Sequence, residues 1–108
     1  MYQNYVINEK NSMSIILHDG YLSNVTKHID VNFQFTQFTI FGETNDFTIF
    51  TVQTSNDLKS WFNTSYHVDV DEFTTRTANF ELTFHIIAKF IRIISSENLT
   101  AKIYINAI

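Results

Sequence analysis

The side chains able to do chemistry are few, and their spacing decides what they can do. Histidine occurs four times, at His18, His28, His67 and His85, among many serines and aspartates. A nucleophilic serine needs a histidine base and a carboxylate that orients it. All three residue types are present, but no serine sits in a glycine-flanked elbow, and the only glycines are Gly20 and Gly42. The histidines therefore read as surface or turn residues, and neither a catalytic residue nor an enzyme is expected. Two isolated glycines make no phosphate-cradling loop, and no cofactor is expected. Cysteine is absent, which removes thiol nucleophiles, disulfides and Cys-type zinc sites in one step and leaves the redox compartment open.

The best metal-ligating pattern is His67, Asp69 and Asp71. Alternate residues of a strand project from one face, and an imidazole with two carboxylates suits a divalent ion. Such positions lie about 7 Å apart, however, and the three read more simply as the wet face opposite Tyr66, Val68 and Val70. No metal site is therefore expected. Among aromatic residues, Trp61 is the only tryptophan. Exposed Trp and Tyr side chains stack on sugar rings or anchor protein interfaces, which makes Trp61, Tyr66 and Tyr104 the candidate ligand or interface residues. A lone Trp in a small β domain is usually mostly buried, so Trp61 is expected to fold back and plug the edge of the sandwich. Three sequons, at Asn24, Asn63 and Asn98, are what a chain this rich in Asn and Thr generates by chance.

The elements that must position these residues are strands. Phe80, Leu82, Phe84 and Ile86 alternate with Asn79, Glu81, Thr83 and His85, the period of one buried and one wet face. Phe90 to Ile94 is apolar on both sides apart from Arg92, as expected of a central strand with both faces covered. After the polar turn Ser95–Asn98, Ala101, Ile103, Ile105 and Ala107 alternate with Lys102, Tyr104 and Asn106. Phe47 to Thr54, a strand marked by Tyr66, Val68 and Val70, and Met13 to Leu17 continue the series. Val31, Phe33 and Phe35 alternate on one parity and Phe38 and Ile40 on the other, which predicts a strand bulged near Thr36-Gln37. Turns are expected at Asp19-Gly20, at 42–46 and at Ser55-Asn56-Asp57, with a single helical turn over Asp57-Leu58-Lys59-Ser60. Roughly seven or eight short strands spaced by polar turns predict an all-β, antiparallel β-sandwich or jelly roll.

Composition bounds the rest. A chain of 108 residues is the size of one domain, and residues 1–30 are expected to supply an assembly arm and a first strand. With a formal charge of −4 and only seven Lys and Arg, scattered along the chain, a nucleic-acid partner is not expected. Apolar runs are as short as Ile86-Ile87-Ala88, so no membrane span is expected. Met1 to Tyr5 lacks the positive and apolar regions of a secretory signal. Charged residues make up 17% and aromatics 16% of the chain. Interfaces are depleted in charge and enriched in aromatics, so a homo-oligomer or a tight attachment to other proteins is expected.

Part of the chain resembles a known pattern. Val52-Gln53-Thr54-Ser55-Asn56-Asp57, with Trp61 four residues on, resembles the V-x-x-S-N-D-G-x-x-W strand and turn of small β-sandwich modules in tailed-phage virions. Ala88-Lys89-Phe90-Ile91-Arg92-Ile93 is similar to their A-R-Y-V-R-V strand, and Asn98 to Tyr104 to their closing G-T-V-T-A-x-L strand. Related arrangements occur in discoidin-like, galactose-binding sandwiches. The resemblance spans residues 47–108; Leu58 stands where the pattern has glycine, and the first forty residues have no counterpart. It implies a structural role in the virion, with the protein made in the host cytoplasm and placed on the capsid surface. The implied function is a capsid decoration or cement protein that binds the major capsid protein or other virion proteins, itself a trimer. The alternative is a carbohydrate- or receptor-binding module of a tail or fibre protein.

Overall fold

The structure, a computed structural model, describes residues 12–70 and 78–108. Alternation of branched and aromatic residues with Thr, Asn, Glu and Lys becomes strand, because each strand then buries one face and wets the other. β1 is Met13–Leu22, β2 Ile29–Asp30, β3 Gln37–Thr44, β4 Thr48–Ser55, β5 Phe62–Val70, β6 Ala78–His85, β7 Phe90–Ser95 and β8 Leu99–Ala107. Among the described residues there is no helix.

The pairing is nested. β4 pairs with β5, β3 with β6, β2 with β7 and β1 with β8, each pair antiparallel. The chain is thus a two-stranded ribbon doubled back about residues 56–61. Rolling the ribbon adds two ladders, β8 on β3 and β7 on β4. Two four-stranded sheets result, β1-β8-β3-β6 and β2-β7-β4-β5. Nested pairs rolled into two facing sheets are the jelly-roll form of the β-sandwich, as the strand pattern predicts.

Inward-facing side chains of both sheets form one buried cluster. Cross-strand partners Phe38 and Phe84 stack at 5.4 Å, with Phe35 edge-on to Phe38 at 6.1 Å. Between the sheets, Phe50 of β4 stacks on Phe80 of β6 at 5.0 Å. That stack depends on Gly42, which lies opposite Phe80 in the β3–β6 ladder. A Cβ at position 42 would land on the Phe80 ring, so only glycine leaves the ring its place. The core's polar members are satisfied: Thr48 and Ser95 share a 2.6 Å hydrogen bond, and the Ser95 hydroxyl donates to the Glu97 carbonyl at 2.6 Å.

Four local expectations are corrected. Val31, Phe33 and Phe35 alternate yet form no strand, because Val31 to Gln34 is a turn. The Gln34 amide donates to the Val31 carbonyl at 2.8 Å, with φ of 45° at Asn32 and 59° at Phe33. Val31 and Phe35 still reach the core, while Phe33 is exposed. The change of phase before Phe38 is therefore made by a connecting loop and not by a bulge at Thr36-Gln37. That loop is tied to the segment just before β7, since the amides of Val31 and Asn32 donate to the Lys89 carbonyl and that of Phe33 to the Ala88 carbonyl. Nor does the chain turn at Asp19-Gly20, which lie within β1 and pair with Lys102 and Ala101 of β8; the irregularity is a bulge between Ile16 and His18. Asp57 to Ser60 makes bends and no helical turn. Met13–Leu22 of the expected arm-and-strand segment is β1, and residues 1–11 lie outside the described residues.

Gly42→Ala should lower stability by about 1–3 kcal/mol in denaturant unfolding, the usual range for an overpacked core. In a Phe80→Leu background the same change should cost less, because the clash is with the ring. Equal losses in both backgrounds would show that Phe80 is not the constraint.

Candidate functional site

Strand alternation gives the sandwich two outer faces, and each carries a cluster of note. On the first sheet, Ile16, Tyr104, Phe41 and Glu81 are successive cross-strand partners over all four strands. Ile16 and Phe41 are 48% and 39% exposed, so the first three members of the row form an apolar stripe open to solvent, with Glu81 at its end. Polar rows flank it. On one side Ser14 donates to Asn106 at 2.7 Å and Thr39 meets Thr83 at 3.0 Å. On the other, Asp19, Lys102, Glu43 and Asn79 run across the sheet in register. The Lys102 ammonium lies 5.3 Å from the Tyr104 ring centre; its pKa is raised by Tyr104 first and then by Asp19 and Glu43. Shallow depressions border Phe41, one of about 240 Å³ lined by Thr39, Glu81 and Asn106 among others.

The second cluster lies on the outer face of the other sheet. Arg92, Gln53 and Asn63 are cross-strand partners on β7, β4 and β5. The Arg92 Nε donates to Gln53 Oε1 at 2.7 Å, and Gln53 Nε2 donates to Asn63 Oδ1 at 2.7 Å. Trp61 enters from the bend before β5 and covers the guanidinium, 3.9 Å from its carbon to the indole centre. His28 lies 6.3 Å from Trp61 and edge-on to Phe90 at 5.8 Å. Lys89 sits 4.9 Å over the Phe90 ring, donates to Asn32 and forms an ion pair with Asp30 at 3.7 Å. Burial lowers the Arg92 pKa from its ordinary value.

The bend that delivers Trp61 is built by two side chains. The Ser55 hydroxyl accepts the amides of Asp57 and Leu58, and the Asp57 carboxylate accepts those of Lys59 and Ser60, each of the latter at 2.9 Å. These last two bonds, Ser60 first, hold the Asp57 carboxyl below the usual aspartate value. Leu58 adopts φ 66°, a left-handed conformation that disfavours any residue with a Cβ. That is why the segment makes bends and no helical turn.

The sequence-predicted residues separate accordingly. Trp61 does not plug the core; it lies half-buried on the outer face because Arg92, projecting outward from β7, offers it a flat partner. Tyr66 is no free platform, since its hydroxyl donates to the His85 carbonyl at 2.9 Å and its ring lies 5.3 Å from Phe84. It closes the sandwich between the edge strands β5 and β6. Tyr104 is on the outer face of the first sheet, as alternation requires. His67 and Asp69 are exposed on the second sheet, Asp71 lies outside the described residues, and no group of three His, Asp or Glu side chains converges among the described residues. Asn63 of the sequons is engaged by Gln53, while Asn24 and Asn98 are exposed. Composition could not bring out the Arg92–Gln53–Asn63 chain or the Ile16–Tyr104–Phe41 row, because both exist only in cross-strand register. Compared with known proteins, the chain matches no family model and no curated protein.

Two outcomes are expected at the bend. Leu58→Gly should stabilise by about 0.5–1 kcal/mol, since relief of the left-handed strain exceeds the added chain entropy. Asp57, with its folded pKa depressed, contributes stability that is full above the ordinary carboxyl value and is lost as pH falls through the depressed one. Carboxyl NMR titration should place Asp57 below the ordinary aspartate value, and Asp57→Asn should flatten the acid limb of the stability profile.

Proposed function

We propose that this chain is a structural protein of a tailed-phage virion, a capsid decoration protein that docks on the capsid lattice through the outer face of its β1-β8-β3-β6 sheet. The observation that carries this reading is the row Ile16–Tyr104–Phe41, open to solvent across the middle of the sheet and framed by hydrogen-bonding residues. Interface cores have this composition, with aromatics and aliphatics at the centre and polar groups at the rim. The depressions on this face are shallow, which suits a protein surface better than a small molecule. Support for the virion assignment comes from the resemblance over residues 47–108, whose two motif segments meet in space: Ser55 pairs with Phe90, Gln53 with Arg92, and Trp61 stacks on Arg92. The left-handed Leu58 occupies the position where the pattern has glycine. Homotrimerisation would multiply the contacts that one small face can offer.

Purified protein should bind capsids of its phage in an integer ratio per lattice site and raise their disruption temperature. Phe41→Asp and Tyr104→Asp, on an exposed face, should leave circular dichroism unchanged and abolish binding. A monomer at micromolar concentration by light scattering, with no capsid affinity, would overturn the proposal.

A second reading, a carbohydrate-binding module of a tail or fibre, is favoured by one observation. Trp61, Arg92, Gln53 and Asn63 gather on the opposite outer face, away from the docking row.

A further inference from the structure

We propose that Arg92 is the centre of a binding site for a carboxylate-bearing saccharide, on the outer face of the β2-β7-β4-β5 sheet. The proposal rests on the carbohydrate-binding reading and names its ligand class.

The guanidinium is held in an orientation that leaves one direction open. Its Nε–H is committed to Gln53, and Gln53 is itself held by Asn63, so the amide cannot turn its oxygen away without losing a second bond. Trp61 covers a face of the group. The terminal nitrogens carry four further N–H donors, and among the described residues no side chain or carbonyl accepts from them. These donors lie in the guanidinium plane, so they leave the stack edge-on. A carboxylate meets such a fork with two parallel hydrogen bonds.

The charge is also unanswered. Among the described residues the one ion pair is Lys89 with Asp30, and no carboxylate lies within 4.0 Å of Arg92. In a chain of formal charge −4, a half-buried cation with no acidic partner among the described residues is the exception. An incoming carboxylate would supply the missing partner.

The surroundings point to a sugar as its carrier. Trp61 and the exposed His28 lie beside the fork, His28 seated edge-on to the buried Phe90 ring, and exposed aromatic faces accept the C–H face of a pyranose. Lys89, over the Phe90 ring, and Asn63, at the end of the Arg92–Gln53 chain, add ammonium and amide groups suited to ring hydroxyls. A peptide is the poorer fit. The site lies on the face of the sheet at β7 and β4, whose backbone groups are already used in the β2–β7, β7–β4 and β4–β5 ladders, so an extended chain would find no strand edge to join. A small free carboxylate would use the fork but leave the aromatic faces empty.

Titration calorimetry on the full chain separates these possibilities, with sialyllactose and trigalacturonate as acidic probes. Lactose, the carboxyl-reduced trigalacturonate, acetate and a short peptide with a free C-terminus serve as comparators. At least one acidic saccharide should bind, more weakly as salt rises and roughly tenfold or more above its neutral counterpart, the discrimination of one charge-assisted hydrogen-bonded pair. Arg92→Gln should remove that preference. Should Arg92→Gln not fold, the Arg92 side-chain NMR resonance of the unaltered protein should move on titration with the acidic probe and stay still with the neutral one. Equal binding of acidic and neutral saccharides would overturn the carboxylate assignment while leaving a carbohydrate-binding module in place. Binding of acetate or the peptide as tightly as the acidic saccharide would overturn the saccharide assignment. No binding of any saccharide would overturn both.

Discussion

At the bend between β4 and β5, two side chains capture four backbone amides: Ser55 takes those of Asp57 and Leu58, and Asp57 takes those of Lys59 and Ser60. Every strand pair of the nested ribbon is counted outward from this point. Among the four nested pairs β4 and β5 are joined by the shortest connection, and each further pair encloses the one before it, so the closure entropy of a pair is lowest at the bend and rises toward β1 and β8. The same capture fixes where Trp61 emerges. A residue more or less in this bend would shift β5 against β4 and turn every side chain of one of them to the other face.

A second constraint acts just beyond it. The β4–β5 register passes from Gln53 with Asn63 to Thr51 with His67, leaving residues 64–66 opposite Val52 alone. Thr64 fills the gap by donating to the Val52 carbonyl and accepting from the Tyr66 amide. Because the offset is even, Asn63 and His67 keep the same outer face, and Tyr66 is aimed at the rim, where its hydroxyl reaches His85 across the two sheets. The edge strands β5 and β6 are thereby tied together, which blunts one open side of the sandwich.

The two outer faces differ in kind for a reason that lies in strand order. β8 is central in its sheet, and its outward residues include Tyr104, flanked by Ile16 and Phe41 from neighbours on either side. β7 is central in the other sheet, and its outward Arg92 gathers polar partners and draws Trp61 over itself. One face therefore carries an apolar row between polar ones, the other an arginine covered by an aromatic ring. A protein that must both attach to a surface and recognise something beyond it would need two such faces back to back.

By itself the sequence determined the strands where alternation is strict, as in Phe80 to Phe84 and Ala101 to Ala107, because a half-buried strand obliges side chains to alternate. It determined the central place of the Phe90–Ile94 strand, and the sandwich class, and it marked Ser55-Asn56-Asp57 as a turn. It misled at Val31, Phe33 and Phe35, where alternation arises across a turn: Val31, which opens it, and Phe35, just after it, dip into the core while Phe33 points out at positive φ. It misled again at Trp61, whose burial depended on an arginine 31 residues away in the chain. Only the tertiary structure decided the jelly-roll pairing, the row across the first sheet and the Arg92 cluster on the second. The reason is physical: a strand's period tells which side chains share its face, but which neighbours lie beside them depends on cross-strand register, and in this fold the registers that matter join residues far apart in the chain.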